Sequence, residues 1–390
     1  MMLAWQLASS GVEVRVLERH PDFRREFRGE LMQRSVVEQL EKAGLFERLL
    51  ERGLALPDLQ RQMYVGPTRK VRTPGPTELG AVVNQPGFLE LLHEQCSTLP
   101  NYRLDFGTVA LEAIREGDAV VGLKTRSAGA EARVDADLFV VCNGRNSALR
   151  KSCGLETETF ESTADALWLR FDFSDAIEAI PKTVNVHMFG KSVVLAVQPA
   201  SGHRLHVAYS AAEDLSTLKK DLPALRERLL ATGGQVLGPL MARKLDEHTE
   251  SQVLKIIVDR VRPWHAPGIL FLGDAAHTMS PSGGQGLNVA IRDTFVAANH
   301  LVPALLEGKA IDAALLQKIQ DERTPEIEAL QAGQTRAGQM VMKPIGALHL
   351  MFTMLGAAMA VMPGKLGKGH GIAPPEPKFL KRPPPVLGSG

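Results

Sequence analysis

Asp274 stands at the end of a short apolar run, residues 269–272, with Gly273 beside it, and a turn carrying Pro281, Gly283, Gly284 and Gly286 follows. A helical pattern opens at Leu287-Asn288. These residues read as a buried strand delivering one carboxylate, then a glycine loop, then a helix N-terminus. A carboxylate at that point accepts hydrogen bonds from sugar-alcohol hydroxyls. The free N–H groups and positive dipole end of the helix favour negative charge. The combination suits a ligand that is polyhydroxylated at one part and anionic at another. Glycines alone would describe any strand–turn–helix connection, so the weight rests on the whole string.

A flavin meets that description, through the hydroxyls of its ribityl chain and the negative charge of its reduced ring. The string GDAAHTMSPSGGQGLN resembles the Gly-Asp motif of FAD-dependent monooxygenases of the p-hydroxybenzoate hydroxylase-like, aromatic-hydroxylase family. The resemblance implies that Gly273, Asp274, Pro281 and Gly286 belong to the cofactor site, with Asp274 binding the ribityl chain and Pro281 shaping the pocket near the ring. It also implies that Leu287 and Asn288 offer backbone N–H groups to the pyrimidine edge.

Three further segments carry the resemblance in the same order. Residues 137–150, DLFVVCNGRNSALR, resemble the family's Asp-Gly motif, associated with the FAD pyrophosphate and the pyridine nucleotide. Gly144 and Arg145 match it, as do Ser147 and Arg150. Asn143 departs from it, keeping hydrogen-bonding capacity where the family has the charge of Asp. Arg28-Gly29, before an amphipathic helix, resembles the family's arginine against the flavin; a lone arginine is otherwise a solvated charge. Gln85, in a loop entering a helix, matches a glutamine that bonds the ribityl or phosphate region; otherwise it is a polar helix start.

At the N-terminus, Met2, Leu3, Ala4, Leu7 and Ala8 form a helical apolar face closed by Gly11, and the strand of residues 12–18 ends at Glu18. An acid ending the second strand of a dinucleotide-binding βαβ unit accepts hydrogen bonds from the adenosine ribose. The glycine turn of such a unit lies about 20 residues upstream. Only 17 residues precede Glu18, and none forms that turn. The reading adopted is an N-terminally truncated βαβ unit. The alternative is a fold that needs no such strand, with Glu18 a solvated strand end.

The expected fold is α/β: a truncated Rossmann-like FAD/NAD(P)-binding domain with an inserted, largely antiparallel substrate sheet and C-terminal helices. The FAD-binding domain is drawn from residues 1–60, 82–156 and 255–310, and the substrate domain from 157–254. In the latter, strands 166–173, 183–189, 192–198 and 204–210 precede one helix, 214–231. His187, Phe189, Gln198 and Tyr209 are candidates to face the pocket, undecided without register. Residues 311–363 form a C-terminal helical segment, and 364–390 a Pro/Gly-rich basic tail, poorly ordered.

Residues 344–364 carry no Asp, Glu, Lys or Arg, and six of the chain's 13 Met fall between Met340 and Met362. A packed or surface-adsorbed helix is favoured there over a spanning one, with peripheral membrane contact through 340–382 left open.

With 45 Lys and Arg against 44 Asp and Glu, the net charge of +1 argues against a nucleic-acid partner. Cys96, Cys142 and Cys153 have no zinc or disulfide spacing, so no metal is expected and a cytoplasmic location fits. The resemblance implies an FAD-dependent monooxygenase reduced by NAD(P)H. Its flavin C4a-hydroperoxide would pass one atom of molecular oxygen to an aromatic or other hydrophobic small molecule. No W-x-W-x-I-P string of the flavin halogenases is present. The rival reading is a non-catalytic remnant of the same fold with weak or absent FAD binding.

Overall fold

A computed structural model describes residues 1–24, 30–72, 78–160, 165–175, 183–197, 204–361 and 372–381. Two parallel strand pairs form the floor. Val14–Leu17 runs parallel to Tyr102–Asp105, and Phe139–Val141 parallel to Ile269–Phe271. Ile269, Leu270 and Phe271 are each fully buried, as a strand covered on both faces must be. The covering helices are Met2–Ser9 and Gln285–Leu306, whose Leu3, Leu7, Val296, Leu301 and Val302 share one apolar cluster with Leu270 and Leu272.

A nine-stranded sheet forms the roof. Its order is Glu250–Leu254, Ala166–Asp172, Arg204–Ala211, Ser192–Val197, Thr183–Met188, Ala55–Val65, Glu78–Val83 and Leu31–Met32, with Arg69–Val71 branching from Ala55–Val65. Every pairing is antiparallel except Thr183–Met188 with Ala55–Val65. The four inserted strands therefore form as expected. The sequence boundary at residue 60 does not match this sheet, because Ala55–Val65 and Glu78–Val83 are strands of the roof. Periodicity identifies a strand but not the distant strand that it pairs with.

The single helix expected over 214–231 is three: Leu215–Leu218, Leu222–Thr232 and Gly234–Lys244. Asp221 restarts the chain, its Oδ1 accepting from the Ala224 N–H at 3.0 Å, with Pro223 in the first turn.

The C-terminal helix Ile345–Val361 seats Leu348 and Phe352 against Val65 and Met188, while Leu350 and Met354 are exposed. Arg69 fastens it, donating to the His349 carbonyl at 3.0 Å and to Thr353 Oγ1 at 2.7 Å. No helix among the described residues is long and apolar enough to cross a membrane. Part of the expected loose tail is docked. Lys378 N donates to Asn299 Oδ1 at 2.8 Å, and Phe379 and Leu380 pack into the core clusters. Two adjacent apolar side chains suffice to dock a segment otherwise rich in proline.

Candidate functional site: a flavin cleft

Between floor and roof lies a cavity of about 4220 Å³. The Gly-Asp segment forms one wall. Gly273, two residues past the buried strand, opens a 3-10 turn at φ +57°, and a Cβ there would meet the Ala290 side chain at 3.0 Å, so glycine is favoured. Its N–H donates to Asp293 Oδ2 at 2.9 Å. From the other side, Arg150 donates to the carbonyls of Asp274 and Ala275, both at 2.7 Å, and pairs with Asp259 at 3.0 Å. The turn that presents Asp274 is thereby fixed at its amide and at two carbonyls.

The loop then enters the helix through Gly284, at φ +61°, where an added Cβ would stand 3.0 Å from Leu31. The helix start leaves its first N–H groups without intrahelical acceptors, those of Gln285, Gly286 and Leu287 by position. A methyl group added at Gly286 would stand 3.9 Å from Asp274 Oδ1, which puts the carboxylate beside the helix N-terminus.

Gly273, Asp274, Pro281, Gly286 and Leu287 all line the cavity. So do Glu18, Gln85, Gly144 and Arg145. Glu18 follows the Val14–Leu17 strand, with its Oε1 accepting from His20 N at 2.9 Å. Gln85 is the first residue of the helix Gln85–Ser97, capped by Asn84. Gly144 takes φ +83°, and Arg145 donates to the Lys255 carbonyl at 3.0 Å. Asn288 is fully buried instead, and its side chain staples the loop. It donates to the Leu31 and Gly284 carbonyls at 2.9 and 2.8 Å and accepts from Gln33 N at 2.7 Å. Arg28 lies outside the described residues.

Behind the loop sits a buried charge network that sequence reasoning did not single out. Asp293 accepts from His277 Nε2 at 2.8 Å and from Arg323 Nε at 2.8 Å. Arg323 also pairs with Glu326, which pairs with Arg292 at 2.8 Å. Burial alone would raise the Asp293 carboxyl, but His277 and Arg323 outweigh it and hold it at about 2. The one sequence signal was charged residues, Arg292-Asp293, inside an otherwise apolar helical stretch.

The roof over this wall presents an apolar patch, Val184, Val186, Val193 and Leu195, to the cavity, with Trp168, His206 and Arg61 beside it. Register therefore decides among the pocket candidates. His187 stacks on Tyr64, Tyr209 donates to Glu213 at 2.6 Å within a core cluster, and neither they nor Phe189 line the cavity. Gln198 lies outside the described residues. His206 is held down at about 4 by burial, then by Arg170 and Arg204, and is neutral at pH 7.

The FAD binding domain family model matches residues 1–333. The chain belongs to this family of flavin-dependent aromatic-hydroxylase-type monooxygenases. The 6-methylpretetramide 4-monooxygenase of Streptomyces rimosus is 27% identical over 361 residues, covering 88% of this chain and 82% of that protein. Rifampicin monooxygenase of Streptomyces venezuelae is 27% identical over 318 residues, covering 76% and 60%. Among solved structures, p-nitrophenol 4-monooxygenase of Pseudomonas putida aligns with TM-score 0.76 at 18% identity, covering 92% of this chain and 90% of that one. The mixed α/β fold is that of FAD-dependent monooxygenases. The cleft suits FAD: open glycines at 144 and 286, a carboxylate beside a helix N-terminus, and room for an extended ligand.

Proposed function

We propose that this flavoprotein hydroxylates an aromatic or other hydrophobic small molecule, using NAD(P)H as reductant. The observation that carries the reading is continuity: one cavity joins the Asp274–Leu287 wall to the apolar face of the roof sheet. A ring held on the wall would face a substrate lying against Val184, Val186, Val193 and Leu195. When bound, FAD supplies reduction by NAD(P)H and activation of molecular oxygen. The protein's own residues do the rest. Asp274 would accept from ribityl hydroxyls, and the N–H groups at the Gln285 helix start would offer positive charge to an electron-rich part of the ring. Glu18, Gln85, Gly144 and Arg145, which line the same cavity, would hold the remainder of the cofactor. The valine and leucine side chains of the roof orient an apolar ring and exclude water from it.

The test loads the purified chain with FAD and follows NADH and NADPH oxidation with a panel of phenols, scoring products by mass. Oxidation stimulated by a phenol, with one oxygen atom incorporated from labelled O2, supports the reading. FAD-loaded protein that oxidises neither nucleotide with any phenol contradicts it.

A further inference from the structure

We propose that the exposed face of the helix Ile345–Val361 is a docking surface for an anionic lipid membrane, on which the protein sits without crossing the bilayer. This surface is separate from the flavin wall, and binding to it requires neither FAD nor substrate.

The helix is apolar on two sides, and the fold uses only one of them. Leu348 and Phe352 pack against Val65 and Met188, with Ile345, Met351 and Leu355 beside them. On another side Ala347, Leu350, Met354 and Ala357, spaced three and four residues apart, share one face and are exposed. Leu350 at 64% and Met354 at 65% are the two most exposed large apolar side chains among the described residues. Single exposed apolar residues are ordinary, but two such residues one turn apart on a helix without Asp, Glu, Lys or Arg are not. No helix among the described residues is long and apolar enough to cross a membrane, so this one would lie along a bilayer surface.

Charge selects the occupant. Lys343 precedes the helix by two residues, and Lys365 and Lys368 follow Val361 within seven. Two neighbours that touch the helix lead directly into exposed lysines. Arg69 bonds His349 and Thr353, and Lys70 follows it; Gly190, where an added Cβ would stand 3.0 Å from Ile345 N, is followed by Lys191. Residues 329–390 hold seven Lys and Arg and one acid, Glu376, whereas residues 1–328 hold 38 Lys and Arg and 43 acids. The basic surplus of a nearly neutral chain is thus concentrated in the segment that carries the exposed apolar face. Apolar side chains flanked by lysines suit an anionic bilayer surface, where the former enter the acyl boundary and the latter meet headgroup phosphates. A second copy of the chain fits poorly. By helix geometry the face is about 25 Å long and about 10 Å wide, roughly 250 Å², well short of the ~800 Å² per partner of a stable interface. Its lysines would also meet lysines across a two-fold axis. Met340, Val341 and Met342, just ahead of the helix, line the cavity. A helix seated on lipid would therefore bring that end of the cavity lining to a surface where apolar small molecules concentrate.

The test is flotation of the purified full chain with phosphatidylcholine vesicles and with vesicles of equal parts phosphatidylcholine and phosphatidylglycerol. The chain should float with the phosphatidylglycerol vesicles, stay behind with phosphatidylcholine alone, and be released by roughly 0.5 M salt, which screens the lysines. The double variant Leu350→Gln, Met354→Gln changes only exposed side chains. Its urea unfolding should match wild type while its vesicle binding falls about tenfold. The triple variant Lys343→Gln, Lys365→Gln, Lys368→Gln should weaken binding by about tenfold or more. No flotation with phosphatidylglycerol vesicles, or equal flotation of wild type and the double variant, would overturn the proposal. A dimer in sedimentation velocity that the double variant dissociates would overturn it too, because a second copy would then cover the face. The flotation is run without FAD, so failure of FAD uptake sinks the proposed function and leaves the lipid surface to be judged by flotation.

Discussion

Arg150 donates a 2.7 Å hydrogen bond to the carbonyl of Asp274, so the two motif segments of the flavin cleft are fastened to each other directly. The same guanidinium takes the Ala275 carbonyl and the Asp259 carboxylate. Arg150→Met should leave Asp259 buried without its cation and cost about 3–5 kcal/mol of stability. Arg150→Lys retains the charge but not the planar fork, and should still weaken FAD binding about tenfold. Urea denaturation and FAD titration of both variants check this pair of outcomes.

The buried network behind the loop gives a second expectation. Asp293 ties the Gly273 amide, His277 and Arg323 together at zero exposure. Asp293→Asn should lower stability by about 3–5 kcal/mol, since Arg323 would then carry a buried charge balanced by Glu326 alone. Because the Asp293 pKa is depressed below its ordinary value, its contribution is present above about pH 4 and is lost as pH falls through about 2. Wild type and variant should therefore converge in stability at strongly acid pH, as measured by denaturant titration at pH 7 and pH 2.

Much of this site could be read along the chain. The Gly273–Asn288 wall, the Gly144 turn and the Gln85 helix start are local strings, and local strings carry strand–turn–helix geometry in their residue order. Distant pairings could not be read. Ala55–Val65 looks like a strand of any sheet until its register with Thr183–Met188 is seen, and His206 rather than His187 faces the cavity for the same reason. Arg323 and Glu326 lie on a helix rich in polar residues, where a buried ion pair and a solvated one look alike. Glu30 was equally silent, because an acid in a polar segment gives no sign of burial.

Glu30 makes stability depend on pH in the opposite sense to Asp293. Its folded pKa, about 7, lies above the ordinary value of 4.5. Its contribution is complete below about pH 4.5 and is lost as pH rises through 7. Glu30→Gln should therefore match wild type near pH 4 and exceed it at pH 8.5 by up to about 3 kcal/mol. Thermal or urea unfolding of both proteins at the two pH values measures the difference. A variant equally stable to wild type at pH 8.5 would contradict the burial of this carboxyl.

FAD titration of the purified chain, read by flavin fluorescence, tests the central claim most directly when repeated on Asp274→Ala and Gly286→Leu. Wild type should bind one FAD saturably. Asp274→Ala should bind roughly 10- to 100-fold more weakly through loss of a charged acceptor. Gly286→Leu, whose side chain would enter the space beside Asp274, should abolish binding with an unchanged circular dichroism spectrum. Equal FAD affinity in all three, or none in the wild type, would contradict a flavin site at the Asp274–Leu287 wall.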